Sequence, residues 1–293
     1  MSQFIKYLFS ILLLVIGLLY LCDIIYTQTY TNSNPRNKLQ YILNTEDEIF
    51  DVVFLGSSRV ANHIDIKLFD SLSHKKNINL GVEGAGLNDN LLQLKLLLDK
   101  NYVSHVFLQI DFNFERTSPS NISISEAMPF LRNKILKNHL KNNFINFKKL
   151  EYLPFYRYAI NDPKIGLREF FFSLFNKKPK INPSIGFSPK LGNILPLKGQ
   201  NLSETIKQNN SVINEIIEIC KKNKTTLTLY TSPFCSKTKN INYINKLKIK
   251  IPSLIDLSKG YSDELFFNCG HLNNEGAKIF TTDLYNATKN KLN

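Results

Sequence analysis

Short β-branched and aromatic runs alternate with longer stretches of helical spacing, and this alternation constrains the chain more than any other feature. DVVFL (Asp51–Leu55) stops at Gly56-Ser57-Ser58, and KNINLG (Lys76–Gly81) is a weaker second run. LNDNLLQLKLLLDK (Leu87–Lys100) spaces its leucines as a helix does, and VSHVFLQID (Val103–Asp111) returns to strand composition. Later, ETIKQNNSVINEIIEICKKNK predicts one long helix from Glu204, TTLTLYTSP a strand, SLIDLS a further short strand, and NEGAKIFTTDLYNATKNKL a closing helix. Strands that read as continuous apolar runs separated by helices predict an α/β fold, a three-layer sandwich with a central parallel sheet. In such sheets the chemistry lies beyond the carboxyl ends of the strands.

Before this body stands an uncharged run, Tyr7–Cys22, that as a helix would reach about 24 Å. Residues 4–26 reach the roughly 30 Å of a bilayer core if Lys6 and Asp23 mark the two interfaces. An uncleaved transmembrane signal-anchor over 1–26 is expected, a cleaved signal peptide being the rival reading. Residues 27–49 carry Asn34-Pro35 and read as a polar stalk, and 50–293 as the folded domain.

The alternation is lost over 116–200, which reads as a largely helical insertion or cap. It holds fifteen basic and four acidic residues, an excess of +11 within the chain's formal +13. Leu131, Ile135, Leu136, Leu140 and Phe144 would line one side of a basic amphipathic helix, and IGLREFFFSLF would form a second, aromatic one. Their apolar faces either pack on the core or touch anionic lipid or glycan. A nucleic-acid partner has no motif to support it and conflicts with an anchor. Cys22, Cys220, Cys235 and Cys269 form no CxxC or Cys/His cluster, so no metal site is expected, and at most one disulfide could join the last three. No phosphate loop or dinucleotide fingerprint is present, so no organic cofactor is expected.

A serine hydroxyl becomes a nucleophile only when a base takes its proton and donors hold the resulting oxyanion. Ser58 stands at a strand end where Gly56 permits a sharp turn, and His271 stands in GHLNNEGA just before the last helix. Either feature alone is weak. In sequence order, however, GSSR, NLGVEGAG, LQIDFN and HLNNEG resemble the four signature blocks of the SGNH/GDSL hydrolase superfamily, over about residues 51–113 and 201–292.

The resemblance implies Ser58 as nucleophile, with Ser57 as the alternative, and His271 as general base. It implies the Ser58 and Gly84 N–H groups and the Asn113 side-chain amide as oxyanion donors. Asp111 and Phe112 precede Asn113 where the family has Gly and a small residue. Three residues before the histidine, where the family has Asp, this chain has Asn268, which can accept the imidazole N–H but adds no charge. Asp263 is the alternative orienter. The implied activity is a membrane-anchored serine esterase or O-acyltransferase acting on acyl, typically acetyl, esters of cell-envelope polysaccharide. Its body would lie outside the cytoplasm of a bacterial cell, with a membrane partner as possible acyl donor. The alternative is a catalytically weak or inactive binding module for envelope glycans.

Overall fold

The computed structural model describes residues 2–143 and 147–292. Strands β1 (Ile49–Leu55), β2 (Asn77–Asn79), β3 (Tyr102–Gln109) and β4 (Thr226–Tyr230) form one parallel sheet in the order β2-β1-β3-β4. The chain is an α/β protein as its alternation predicts. Helices α1 (Ser2–Asn32) and α2 (Lys38–Asn44) precede β1; α3 (Ser58–His63) and α4 (Ile66–Ser73) join β1 to β2; α5 (Leu87–Lys100) joins β2 to β3.

Successive residues of β1 enter different cores because side chains alternate across a strand. Val53 and Leu55 join α5 residues such as Leu91 and Leu94 in one apolar cluster. Val52 and Phe54 join Val60, Ile66 and Phe69 of α3 and α4 in another. The two connections that follow β1 therefore run over opposite faces of the sheet. Outside the carboxyl ends of β1 and β3 this leaves the crevice in which open α/β sheets place ligands.

The insertion contributes α6 (Asn121–Ala127), α7 (Lys134–Asn143), α8 (Phe147–Tyr152), α9 (Tyr156–Ala159), α10 (Asp162–Ile165) and α11 (Leu167–Leu174). On α7, Leu136 and Leu140 point into the core and Ile135 packs on it, as the core-packing reading expects. Phe144, assigned to the same face, lies outside the described residues.

After the insertion come α12 (Ser211–Lys222), α13 (Asn242–Lys250), the antiparallel pair β5 (Phe266–Asn268) and β6 (His271–Leu272), and α14 (Asn274–Thr288). The long helix expected from Glu204 begins only at Ser211. Asn210 is its cap, accepting from Val212 N and Ile213 N while donating to Phe114 O at 2.7 Å, which ties the start of the helix to the body. SLIDLS supplies only a single bridge, Tyr230 to Ile255. Asp256 then turns back to Thr231 Oγ1 and Ser258 N, ending the extended run.

The expected stalk is corrected too. α1 continues to Asn32, and Tyr30, Leu39 and Ile42 belong to the main core. Asp23 joins Arg157, Thr27 meets the Tyr158 hydroxyl at 2.7 Å, and Tyr26 stacks on Phe170 with centroids 4.2 Å apart. Thr27, Ser33 and Gln40 are buried against the body, so this stretch is not a solvated tether. The earlier part of α1 is long and apolar enough to cross a membrane, and none of its most apolar window is buried in the body.

Candidate active site

β1 delivers its carboxyl end to Gly56, where any side chain would collide with Val60 and lie 2.8 Å from Gln109 Oε1. Only glycine lets the chain turn here. Ser57 then caps α3: its Oγ accepts from Arg59 N and donates to Gln109 Oε1 at 2.9 Å, and its N–H donates to the same oxygen at 3.0 Å. With Ser57 buried and engaged, Ser58 is the serine left facing the crevice.

Ser58 Oγ lies 2.8 Å from His271 Nε2, and His271 Nδ1 lies 3.1 Å from Asn268 Oδ1. The Gly270 N–H also donates to Asn268 Oδ1, at 3.0 Å. This second donor identifies the amide oxygen, not the nitrogen, as the atom facing the imidazole. The ring accordingly carries its proton on Nδ1, leaving Nε2 to accept from the Ser58 hydroxyl.

Asn268 and His271 are paired residues of β5 and β6. Two devices hold that hairpin. A disulfide joins Cys269 to Cys235 after β4, with Cα atoms 5.1 Å apart. His63, at the end of α3, accepts the Leu272 N–H on Nε2 at 3.0 Å. Its own Nδ1 then carries the proton, in a fully buried ring that burial and the charge of Arg59 keep neutral, with a pKa well below the ordinary imidazole value.

Burial also lowers the His271 pKa, to about 4; Arg59 and Lys190 push the same way and Glu83 opposes them. The imidazole is therefore neutral at pH 7 and able to take a proton.

Arg59 is the largest fully buried side chain near the nucleophile. Its guanidinium lies 3.8 Å over the Phe234 ring, donates to the Pro233 carbonyl and stands 3.4 Å from Asp111. Burial drives Arg59 down and Asp111 up, while their mutual attraction opposes both shifts. Arg59 stands in the GSSR motif and Asp111 in LQIDFN, and neither motif by itself shows their partnership. Nothing in local spacing joins the residue after a β1 turn to the residue after β3. His63 and the Cys235–Cys269 pairing were missed for the same reason.

Gly84 has φ +71, a conformation few side chains tolerate, and open space where a side chain would lie. Among the described residues, neither its N–H nor that of Ser58 meets a protein acceptor. Asn113 is wholly buried, donating from Nδ2 to Gln109 O at 2.9 Å and accepting from Asp111 N at 2.8 Å. Its amide is thus bonded into its own turn, and one Nδ2 hydrogen remains. Asp263 binds Ser236 through both carboxylate oxygens, to N–H and hydroxyl, and does not bond to His271. Of the two orienters weighed from sequence, the structure places Asn268 on the imidazole.

A cavity of about 230 Å³ adjoins this constellation, sharing Ala61 of α3 and the Gly81–Glu83 loop. Arg36, Lys38, Glu126 and Lys164 line its other side. Burial lowers Lys38 to about 7 and raises Glu126 to about 7, so both ends of this polar wall titrate near neutrality. Among the described residues, no group of three or more His, Cys, Asp or Glu is placed to hold a metal ion.

No protein-family model matches the chain, and no curated protein matches it either.

Proposed function

We propose that the protein is a membrane-tethered serine esterase or O-acyltransferase that works through an acyl-serine intermediate. The observation that carries this reading is the continuous chain from Ser58 Oγ through His271 to Asn268 Oδ1, at 2.8 and 3.1 Å. It assembles nucleophile, neutral base and orienter from two separate segments, the β1–α3 turn and the β5–β6 hairpin. The four sequence blocks that resemble the SGNH/GDSL hydrolases, and the place of Ser58 beyond the carboxyl end of a parallel strand, support the same reading.

In this mechanism Ser58 Oγ attacks an ester carbonyl carbon while its proton passes to His271 Nε2. The Ser58 and Gly84 N–H groups hold the oxyanion, with Asn113 as a third donor through its remaining amide hydrogen. Collapse breaks the ester bond, and His271 returns the proton to the leaving alcohol. The acyl-serine is then attacked by water, giving hydrolysis, or by a sugar hydroxyl, giving transfer, with His271 again accepting the proton. Asn268 fixes the imidazole tautomer but adds no negative charge to the imidazolium, so the site is slower than a carboxylate triad would be.

Acyl esters of an envelope polysaccharide are the substrates we favour. The basic insertion over 116–200, with its excess of +11, suits an anionic glycan, and a membrane partner is the natural acyl donor for a tethered transferase. The Cys235–Cys269 disulfide supports a body outside the cytoplasm, where such bonds persist.

The test is covalent labelling of the full-length protein with a fluorophosphonate, comparing wild type, Ser58→Ala, His271→Ala and Asn268→Asp. Stoichiometric labelling that requires Ser58 and His271 is expected. A folded protein that stays unlabelled in every variant would instead make it a non-catalytic glycan-binding module.

A further inference from the structure

We infer that the cap is a second membrane contact, its α8 end and the loop to Phe155 resting, with the adjoining part of α11, in the interface of the bilayer α1 enters. The argument begins at Asp23, the first charged residue of α1 after Lys6. It marks the end of the apolar run, and the folded body meets the helix at this level. Phe155 N–H donates to Asp23 Oδ2 at 3.0 Å, and Arg157 Nη2 donates to Oδ1 at 2.6 Å. One turn further on, the Tyr26 ring is enclosed by Phe155, Tyr158 and Phe170 at centroid separations of 4.9, 5.1 and 4.2 Å. The loop around Phe155 is therefore held where α1 leaves the hydrocarbon, with no tether to let the body drift away.

Tyr152 and Leu153 at that level, and α11 from there up to Asn176, whose Oδ1 accepts the Asn34 N–H at 3.0 Å beyond the end of α1, expose apolar side chains that the cap's own fold does not use. Tyr152 and Leu153, directly before the Asp23 contact, are 65% and 48% exposed. On α11 the inner face gives Phe170 to Tyr26, while the outer face presents Leu167, Phe171, Leu174 and Phe175. Their spacing, i, i+4, i+7 and i+8, makes one stripe along the helix. Phe175, just past its end, is 75% exposed.

Exposed cations accompany this apolar surface: Lys148 and Lys149 on α8, Lys164 on α10 and Arg168 on α11. Aromatic and aliphatic groups interleaved with lysine and arginine are the composition of helices that lie in a lipid interface, buried by about 5–10 Å. Continuity with the membrane end of α1 selects a bilayer over a second protein copy as the occupant. Contact at both α1 and the cap would fix the orientation of the crevice relative to the membrane plane, which a single flexible anchor would not.

The chain contains no tryptophan, so one introduced residue reports alone. Full-length Tyr152→Trp, Leu153→Trp and Phe171→Trp proteins would be reconstituted into phosphatidylglycerol/phosphatidylcholine vesicles with brominated acyl chains. The control is Ile249→Trp, at an 82% exposed position on α13. The expected result is blue-shifted emission and loss of intensity to the bromolipid for the three cap positions, with the control unquenched. Cap tryptophans as unquenched as the control would overturn the inference. So would a blue shift without bromolipid quenching, because that is burial against protein.

Discussion

The Ser58 hydroxyl and the His271 ring nitrogen Nε2 are 2.8 Å apart, although 213 residues separate them in the chain. Ser58 opens α3 after the β1 turn, and His271 occupies β6 immediately before α14. α3 and α14 pack in the same core, through Val60 and Phe280 among others. Packing of these two helices therefore sets the distance between nucleophile and base.

Serine identity is the most direct consequence. Ser58→Ala should abolish fluorophosphonate labelling. Ser57→Ala should retain labelling but lower stability by about 1 kcal/mol, the usual cost of losing a helix cap. Labelling together with denaturant unfolding of both variants checks this, and labelling lost only in Ser57→Ala would reverse the assignment.

The charge at position 268 should control the pH profile. With the His271 pKa near 4, the base is active above that pH, so labelling should fall off only as pH drops through about 4. Asn268→Asp places a carboxylate on Nδ1–H, which favours imidazolium and raises its pKa by about 1–3 units. The acid limb should move upward accordingly, and the plateau rate should rise about tenfold or more, since a general base works best with a pKa near the working pH. A variant whose pH–rate limb stays in place would show that position 268 does not act on the imidazole.

Removing the disulfide should loosen the base without touching the nucleophile. Cys235 and Cys269 close a loop with a sequence separation of 34. For a loop of that length, chain-entropy reasoning gives about 3–4 kcal/mol of stabilisation. Cys235→Ser should lower the melting temperature and slow labelling of Ser58. Reductant should do the same to the wild type but change nothing in the variant.

Stability should fall on mild acidification. His105, His139 and His271 are pushed down to about 4, and His63 is held well below its ordinary value, in each case chiefly by burial. The unfolded chain takes up protons near pH 6.5 while the native state does not, so stability is full above that pH and declines as pH falls toward 4. Each imidazole contributes about 1.4 kcal/mol per pH unit in this window. Unfolding free energies measured between pH 7 and 4.5 test this, and a flat profile would contradict the burial of these rings. His63→Gln, which removes one of the titrating groups, should flatten the slope.

The α/β character, the parallel strands β1, β3 and β4, and the helix α5 were legible because each is declared locally. A short apolar run can only be a buried strand here, and the leucine spacing of 87–100 only a helix face. The apolar run of α1 was legible for the same reason. The candidate nucleophile and base are legible as motif residues, and Asn268 as the orienter with Asp263 as its alternative.

What sequence spacing did not carry was everything that depends on which surfaces meet. The polar residues after Asp23 read as a stalk, yet α1 continues through them to Asn32, and Asp23 and Thr27 bond it to the cap. Asp263 stood as the alternative to Asn268, yet it faces Ser236, while the β5–β6 pairing turns Asn268 toward His271. The Arg59–Asp111 pair and the Cys235–Cys269 bond join segments brought together only by the sheet order β2-β1-β3-β4 and the loops after it. Composition and periodicity specify which elements form, because a strand or helix needs only its own residues. The site is made of side chains from different elements, and its geometry exists only once long-range packing has placed those elements side by side.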